Sequence, residues 1–178
     1  MKRLLLVLSV AVSLLGSEAA MASAGSGSSR SALLVGEVRR ATSHYQDPGA
    51  ATAAHYAPFL GCVSGPERGA MGVHFVNGDL VNDGELDVQR PEALIYEPSH
   101  DGLRLVGVEY IVIAEAWNAR NQTPPALMGQ VFHYTASPNR YGIAAFYALH
   151  VWAWKENPNG TFADWNPKVS CRDYVAKP

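Results

Sequence analysis

The pattern of hydrophobic and polar positions divides the chain into a helical start and a longer β-rich remainder. Leu33, Val35, Val38, Ala41 and Tyr45 recur at near-helical spacing, which predicts an amphipathic helix over residues 32–45. Asp47 followed by Pro48 is a helix-start signal, with aspartate as N-cap and proline at the first helical position. The alanine-rich stretch 48–56 then reads as a second short helix, ended by Pro58. Gly61, Gly65, Pro66, Gly69 and Gly72 mark loops and tight backbone approaches.

Strand patterns follow at residues 72–76, 93–97, 103–114, 127–134 and 146–155. Asn77-Gly78, Asp83-Gly84 and Pro91 make the intervening stretch a loop, and residues 117–125 read as loop too. Pro98 ends the second strand, and His100-Asp101-Gly102 forms a hairpin turn into the third. Ser137-Pro138-Asn139 is another turn, and Asn157-Pro158-Asn159-Gly160 stops the last strand. Helices first and turn-linked strands afterwards predict an α+β fold, with N-terminal helices packed on a mostly antiparallel β-sheet. A small β-barrel is the alternative.

The extreme N-terminus has a different pattern. Met1-Lys2-Arg3 precedes an apolar run over residues 4–15, and small residues around 20–24 offer a cleavage site after Ala24. This is the layout of a secretory signal peptide, residues 1–24. The run of about twelve residues is short of the roughly 20 that a membrane span needs. A flexible Gly/Ser-rich lead-in, 25–31, and a single globular domain, 32–178, complete the predicted organisation. The expected address is periplasmic or secreted, with no membrane attachment after cleavage.

Charge narrows the partners. The full chain carries 14 basic and 16 acidic residues. Removing Lys2, Arg3 and Glu18 with the signal leaves 12 against 15, with no basic patch. Nucleic-acid binding works through clustered Lys and Arg, so none is expected. The two cysteines, Cys62 and Cys171, read as one disulfide in an exported chain, free buried thiols being the alternative.

Three polar residues fall where a sheet should be apolar. Glu109 lies mid-strand, on the period-two face of Leu105, Gly107, Ile111 and Ile113. His150 shares a face with Phe146, Ala148, Trp152 and Trp154, and His74 sits in the first strand between Val73 and Phe75. A buried carboxylate requires a cation, a metal, strong donors or a proton. Two histidines and one glutamate converging from three strands are a recurring ligand set for zinc or non-haem iron. His74, Glu109 and His150 are therefore the candidate ligands of a divalent metal, zinc, iron or copper. Glu97 and His133 are candidate further ligands or supporting neighbours. A buried Glu–His hydrogen-bond network without metal is the competing reading. Tyr110, Trp152, Trp154, Phe162 and Trp165 are candidates for a cleft wall, or simply for the core, with Trp165 the one expected to be exposed. No nucleophile elbow, P-loop or dinucleotide fingerprint is present.

The stretches Gly69-Ala70-Met71-Gly72-Val73-His74-Phe75, Leu149-His150-Val151-Trp152-Ala153-Trp154, Asn157-Pro158-Asn159-Gly160-Thr161-Phe162 and Asn166-Pro167-Lys168-Val169-Ser170-Cys171 resemble those of a group of small exported bacterial proteins. Residues 91–98 and 105–110 fit the same group, so the resemblance covers roughly residues 45–171. It implies bacterial export and supplies no reaction and no catalytic residues. Three classes stay open: an exported protein binding a metal or small ligand, a metal-assisted or Glu/His acid–base enzyme, and a structural envelope-interaction protein.

Overall fold

The computed structural model describes residues 17–65 and 67–176. Helix α1, Ser17–Thr42, runs into a 3-10 turn at Ser43–Gln46 and the short helix α2, Pro48–Ala53. Strands β1, Ala57–Gly65, and β2, Gly69–Val76, precede the short helix α3, Gly78–Asp83. Strands β3, Ala93–Ser99, and β4, Gly102–Ile113, lead to the short helix α4, Ala114–Asn118. Then come β5, Ala126–Leu127, β6, Gln130–Val131, β7, His133–Thr135, and β8, Phe146–Val151. Six strands form one antiparallel sheet in the order β1-β2-β3-β4-β8-β7, and β5 pairs with β6 apart from it. The fold is α+β, and the sheet curls as a half-barrel.

The helices bury one face of the sheet. Leu34 and Val38 of α1, Ala51 of α2 and Tyr56 pack with Phe75, Leu94, Tyr96, Val108, Tyr110 and Leu149. The buried stripe of α1 is Leu34, Val38 and Thr42, whereas Leu33 is 59% exposed, so the stripe is rotated from the predicted one. Thr42 is tolerated in the core because its hydroxyl donates to the Val38 carbonyl, 2.7 Å, and accepts from Trp154 Nε1, 3.1 Å. Asp47 caps α2 by accepting from the Gly49 amide at 2.8 Å, with Pro48 in the first turn, as the sequence predicts.

Several boundaries differ from expectation. The lead-in 25–31 is helical, and Gln130 Nε2 reaches the Ser31 hydroxyl at 3.1 Å, a long-range contact that composition does not reveal. Residues 1–16 of the expected signal peptide lie outside the described residues. The glycine-rich stretch 57–65 is a strand. Its ladder is interrupted between Phe59 and Cys62, where Leu60 and Gly61 adopt left-handed φ of 60° and 72°. The Asn-Gly and Asp-Gly pairs near residue 80 bracket α3 rather than forming turns. Asn77 Oδ1 accepts from the amides of Asp79 and Leu80, and Gly84 closes the helix in the left-handed conformation. Residues 127–134 break at Met128 and Gly129, both with positive φ, into the β5–β6 hairpin and the separate β7. Pro98 does not end β3. The β2 ladder stops at Tyr96, which leaves Pro98 at a locally free edge where its missing N–H is tolerated. Strand β8 ends at Val151, because the Trp152 amide turns to the Thr161 carbonyl, 3.0 Å.

A bulge in β4 also corrects one face. Ile95 pairs with Gly107 but Tyr96 with Leu105, so Val106 is the extra residue. Leu105 therefore packs on the helix side, and Val106 joins Trp152, Ile95 and Ala70 on the other.

The C-terminal tail is tied to β2 and β1. Ala70 and Asn166 exchange backbone hydrogen bonds at 3.1 and 3.2 Å. Gly69 makes this approach possible: a Cβ there would lie 2.2 Å from the Asn166 carbonyl oxygen. Cys62 and Cys171 form a disulfide across a sequence separation of 109. Loop entropy gives a bond of this span about 4.7 kcal/mol. The double variant Cys62→Ser with Cys171→Ser should lose about 4–5 kcal/mol in urea unfolding, and the disulfide of the oxidised parent should be reduced faster once the chain is unfolded.

Glu92 is a second buried carboxylate. It accepts from the Ile111 amide at 2.9 Å, yet burial pushes its pKa up to about 8. A folded pKa above the unfolded one means that the native state binds the extra proton. Its contribution is therefore full below about pH 4.5 and declines as pH rises to about 8. Glu92→Gln keeps an acceptor for Ile111 and removes the charge. It should raise the melting temperature at pH 8 and leave it nearly unchanged at pH 5, read by thermal scans at both.

Candidate metal centre

The face of the sheet away from α1 carries the three polar residues. On it lie His74 of β2, Ala93 and Ile95 of β3, Gly107, Glu109 and Ile111 of β4, and Phe146, Ala148 and His150 of β8. Glu109 and His150 are direct cross-strand partners. His74 stands two strands and two residues of register from Glu109, so their backbones are roughly 12 Å apart at about 4.8 Å per strand and about 3.4 Å per residue. The position facing Glu109 on the intervening strand is Ala93, whose methyl group leaves room for the two long side chains to meet. Gly107 clears space on the other side, where a Cβ would lie 2.8 Å from the Val151 carbonyl and 3.4 Å from Trp152.

The three side chains converge. His74 Nε2 lies 3.4 Å from Glu109 Oε2, and His150 Nδ1 lies 3.6 Å from Glu109 Oε1. One ligand atom from each residue lies within 4.8 Å of the other two, so this buried trio could hold a metal ion. Glu109 and His74 are each 7% exposed and His150 is 3% exposed. Both ring nitrogens of His150 are buried and make no hydrogen bond. The ring stacks on Trp152 at 6.1 Å and meets the His74 ring edge-on at 5.9 Å.

Burial dominates the electrostatics. It drives the His74 pKa down to about 3, the His150 neighbour pushes the same way, and a ring hydrogen bond to the Gly72 backbone partly offsets both. His74 is thus a neutral imidazole at ordinary pH, the form that ligates metals. Burial raises the Glu109 carboxyl, opposed by His150. Burial alone would lower His150, but Glu109 and Asp164 outweigh it and the ring is raised.

Asp164 is the residue that no sequence pattern marked. Its Oδ1 lies 3.5 Å from His150 Nδ1 and 3.1 Å from His133 Nδ1. The His150 ring holds it down to about 2 against the upward push of burial, and His133 adds to the effect. His133 is exposed and reaches the trio only through Asp164. Asp164 is delivered by the loop after β8, which two buried asparagines shape. Asn157 Nδ2 donates to the Trp165 carbonyl, 3.0 Å, and its Oδ1 accepts from the Asn159 amide, 3.0 Å. Asn166 Nδ2 donates to the Glu156 carbonyl, 3.2 Å, and its Oδ1 accepts from the Lys168 amide, 2.9 Å. Trp152 Nε1 donates to the Ala163 carbonyl at 2.6 Å, pinning the loop over His150.

Glu97 does not join the trio. It is four residues along β3 from the position opposite Glu109, on the order of 13 Å away. There it takes both bonds of Lys155 Nζ, 2.8 and 2.6 Å, and one from the Ser170 amide, 3.1 Å, so it anchors the tail.

A pocket of about 430 Å³ opens over this face, and both His74 and Glu109 line it. Of the two readings of the aromatics the core one holds, except that Trp165 is less exposed than expected. Tyr110, Trp154 and Phe162 pack into the helix-side core, Trp152 is buried against Val106, and Trp165 is half-buried beneath Arg140. Phe59, Tyr141 and Phe146 line the pocket instead. No known family, curated protein or solved structure matches the chain.

Each buried asparagine amide bridges backbone groups of the loop on both sides of its side chain. Asn166→Ala should cost about 1–3 kcal/mol per orphaned group. Hydrogen exchange should show faster exchange across residues 157–168 while the β3–β4 amides keep their protection.

Proposed function

We propose that the chain is an exported binding protein that holds one divalent metal ion at His74, Glu109 and His150. The spacing of the donors carries this reading. Atoms bound at about 2.1 Å to a tetrahedral ion stand about 3.4 Å apart. The two His–Glu separations are 3.4 and 3.6 Å, wider than a good hydrogen bond and matched to shared ligation. A tight structural network would close these contacts, whereas His150 Nδ1 stands 3.6 Å from Glu109 and 3.5 Å from Asp164. Zinc suits the donor set and the tetrahedral spacing best, with iron and copper as the competing ions. Asp164 faces the same ring nitrogen, Nδ1, that lies toward Glu109, so its carboxylate would add negative charge beside the ion and would not orient the ring through the other nitrogen.

Export is supported by the signal-like N-terminus and by the disulfide, which persists in oxidising compartments. A second reading, a metal-assisted enzyme, is favoured by the pocket that reaches His74 and Glu109 from solvent. In that case the ion acts as a Lewis acid or activates a water molecule.

Elemental analysis of the purified protein after zinc loading and dialysis should find one ion per chain. His74→Ala, Glu109→Gln and His150→Ala should each reduce this to background, and His133→Ala should not. Asp164→Asn should retain the ion with lowered affinity, since a negative charge beside the His150 ring is removed. Unchanged metal content in the His74 and His150 variants would overturn the assignment.

A further inference from the structure

Resting on the metal reading, we infer that the pocket binds a small, mostly apolar molecule ending in one anionic group that coordinates the ion, a medium-chain carboxylate being the simplest case. The volume of about 430 Å³ lies in the range that holds small ligands, about 300–1,000 Å³. Its walls are apolar, with Met71, Val81, Ile111, Ile143 and Phe146 among them. The few polar side chains other than the ligands are already engaged. The Tyr141 hydroxyl points to the Met71 sulfur at 3.6 Å, and Asn82 Nδ2 donates to the Gly78 carbonyl at 2.7 Å. That leaves His74 and Glu109, both buried, as the polar end.

The mouth is apolar as well. Phe59 and Leu60 line the pocket yet are 36% and 55% exposed, in the irregular part of edge strand β1. Large apolar side chains held in water at a pocket entrance are the signature of a surface that receives an apolar ligand.

The head-group follows from charge. Among the described residues no lysine or arginine lines the pocket, so the protein alone offers an anion only the repulsion of Glu109. A divalent ion with one carboxylate and two neutral imidazoles carries a net charge of about +1, with coordination positions left for a further ligand; the Asp164 carboxylate stands beside His150 and does not line the pocket. Anion binding should therefore require the metal, and the tail should add affinity through burial.

The test uses the full oxidised protein, zinc-loaded or stripped with chelator, titrated calorimetrically with hexanoate, octanoate, decanoate and 1-decanol. The expected result is binding of the carboxylates to the zinc form only. Affinity should rise about 3–4-fold per methylene, the equivalent of ~0.8 kcal/mol, and decanol should bind at least tenfold more weakly than decanoate. Leu60→Asp, at an exposed position whose left-handed φ suits aspartate better than leucine, should weaken decanoate at least tenfold and leave zinc content unchanged. Equal binding of decanol and decanoate with and without zinc would overturn the anionic head-group. Carboxylate binding that ignores chain length would overturn the apolar pocket. Zinc retained at one ion per chain with no carboxylate bound would sink the inference and leave the metal reading standing, whereas failure to retain zinc would sink the metal reading and this inference with it.

Discussion

A carboxylate taken out of water into an apolar sheet face must be compensated, and the surroundings of Glu109 are organised by that requirement. Moving such a charge into a dry interior costs several kcal/mol unless partners replace its hydration. Two imidazoles supply the company, one directly across the ladder on β8 and the other from two strands away. The sheet makes room at Ala93 and Gly107, so the arrangement depends on what is small around it as much as on the polar groups themselves.

The periphery follows from the same constraint. His150 has no hydrogen bond of its own, but a loop carrying Asp164 is folded back over it. That loop is held by Asn157, Asn166 and the Trp152 indole, and the tail beyond it is held by Glu97 and Lys155 and by the disulfide. The Asn-Pro pairs and Trp152 of the C-terminal third thus help to hold the loop that carries Asp164. The apolar pocket meets His74 and Glu109 of the trio and not His150 or Asp164. The site thus has a side covered by the loop and a side that borders the pocket.

The order of helices and strands was legible because the 3.6 and 2.0 periodicities are local. The long strand around Glu109 and the Asp47-Pro48 helix start are read directly from their own residues. Glycines and asparagines misled where their role was set by neighbours: Gly61 belongs to a strand irregularity, and Asn77 and Gly84 are caps of a helix. Strand faces were legible only up to the Val106 bulge, since one extra residue inverts the alternation beyond it. Tryptophans 152 and 154 were assigned to the His150 face by continuing the alternation, but the strand ends before them and they separate to opposite sides.

The sequence by itself determined the α+β class, the pairing of its two cysteines and the three residues that a buried sheet position makes chemically expensive, because each rests on composition or on spacing within one element. Only the tertiary structure decided that these three meet, that Asp164 joins them while Glu97 does not, and that a pocket opens onto two of them. Those outcomes depend on strand order, on one bulge and on a loop closing across the sheet. They are fixed by packing between residues distant in sequence, and no local pattern encodes them.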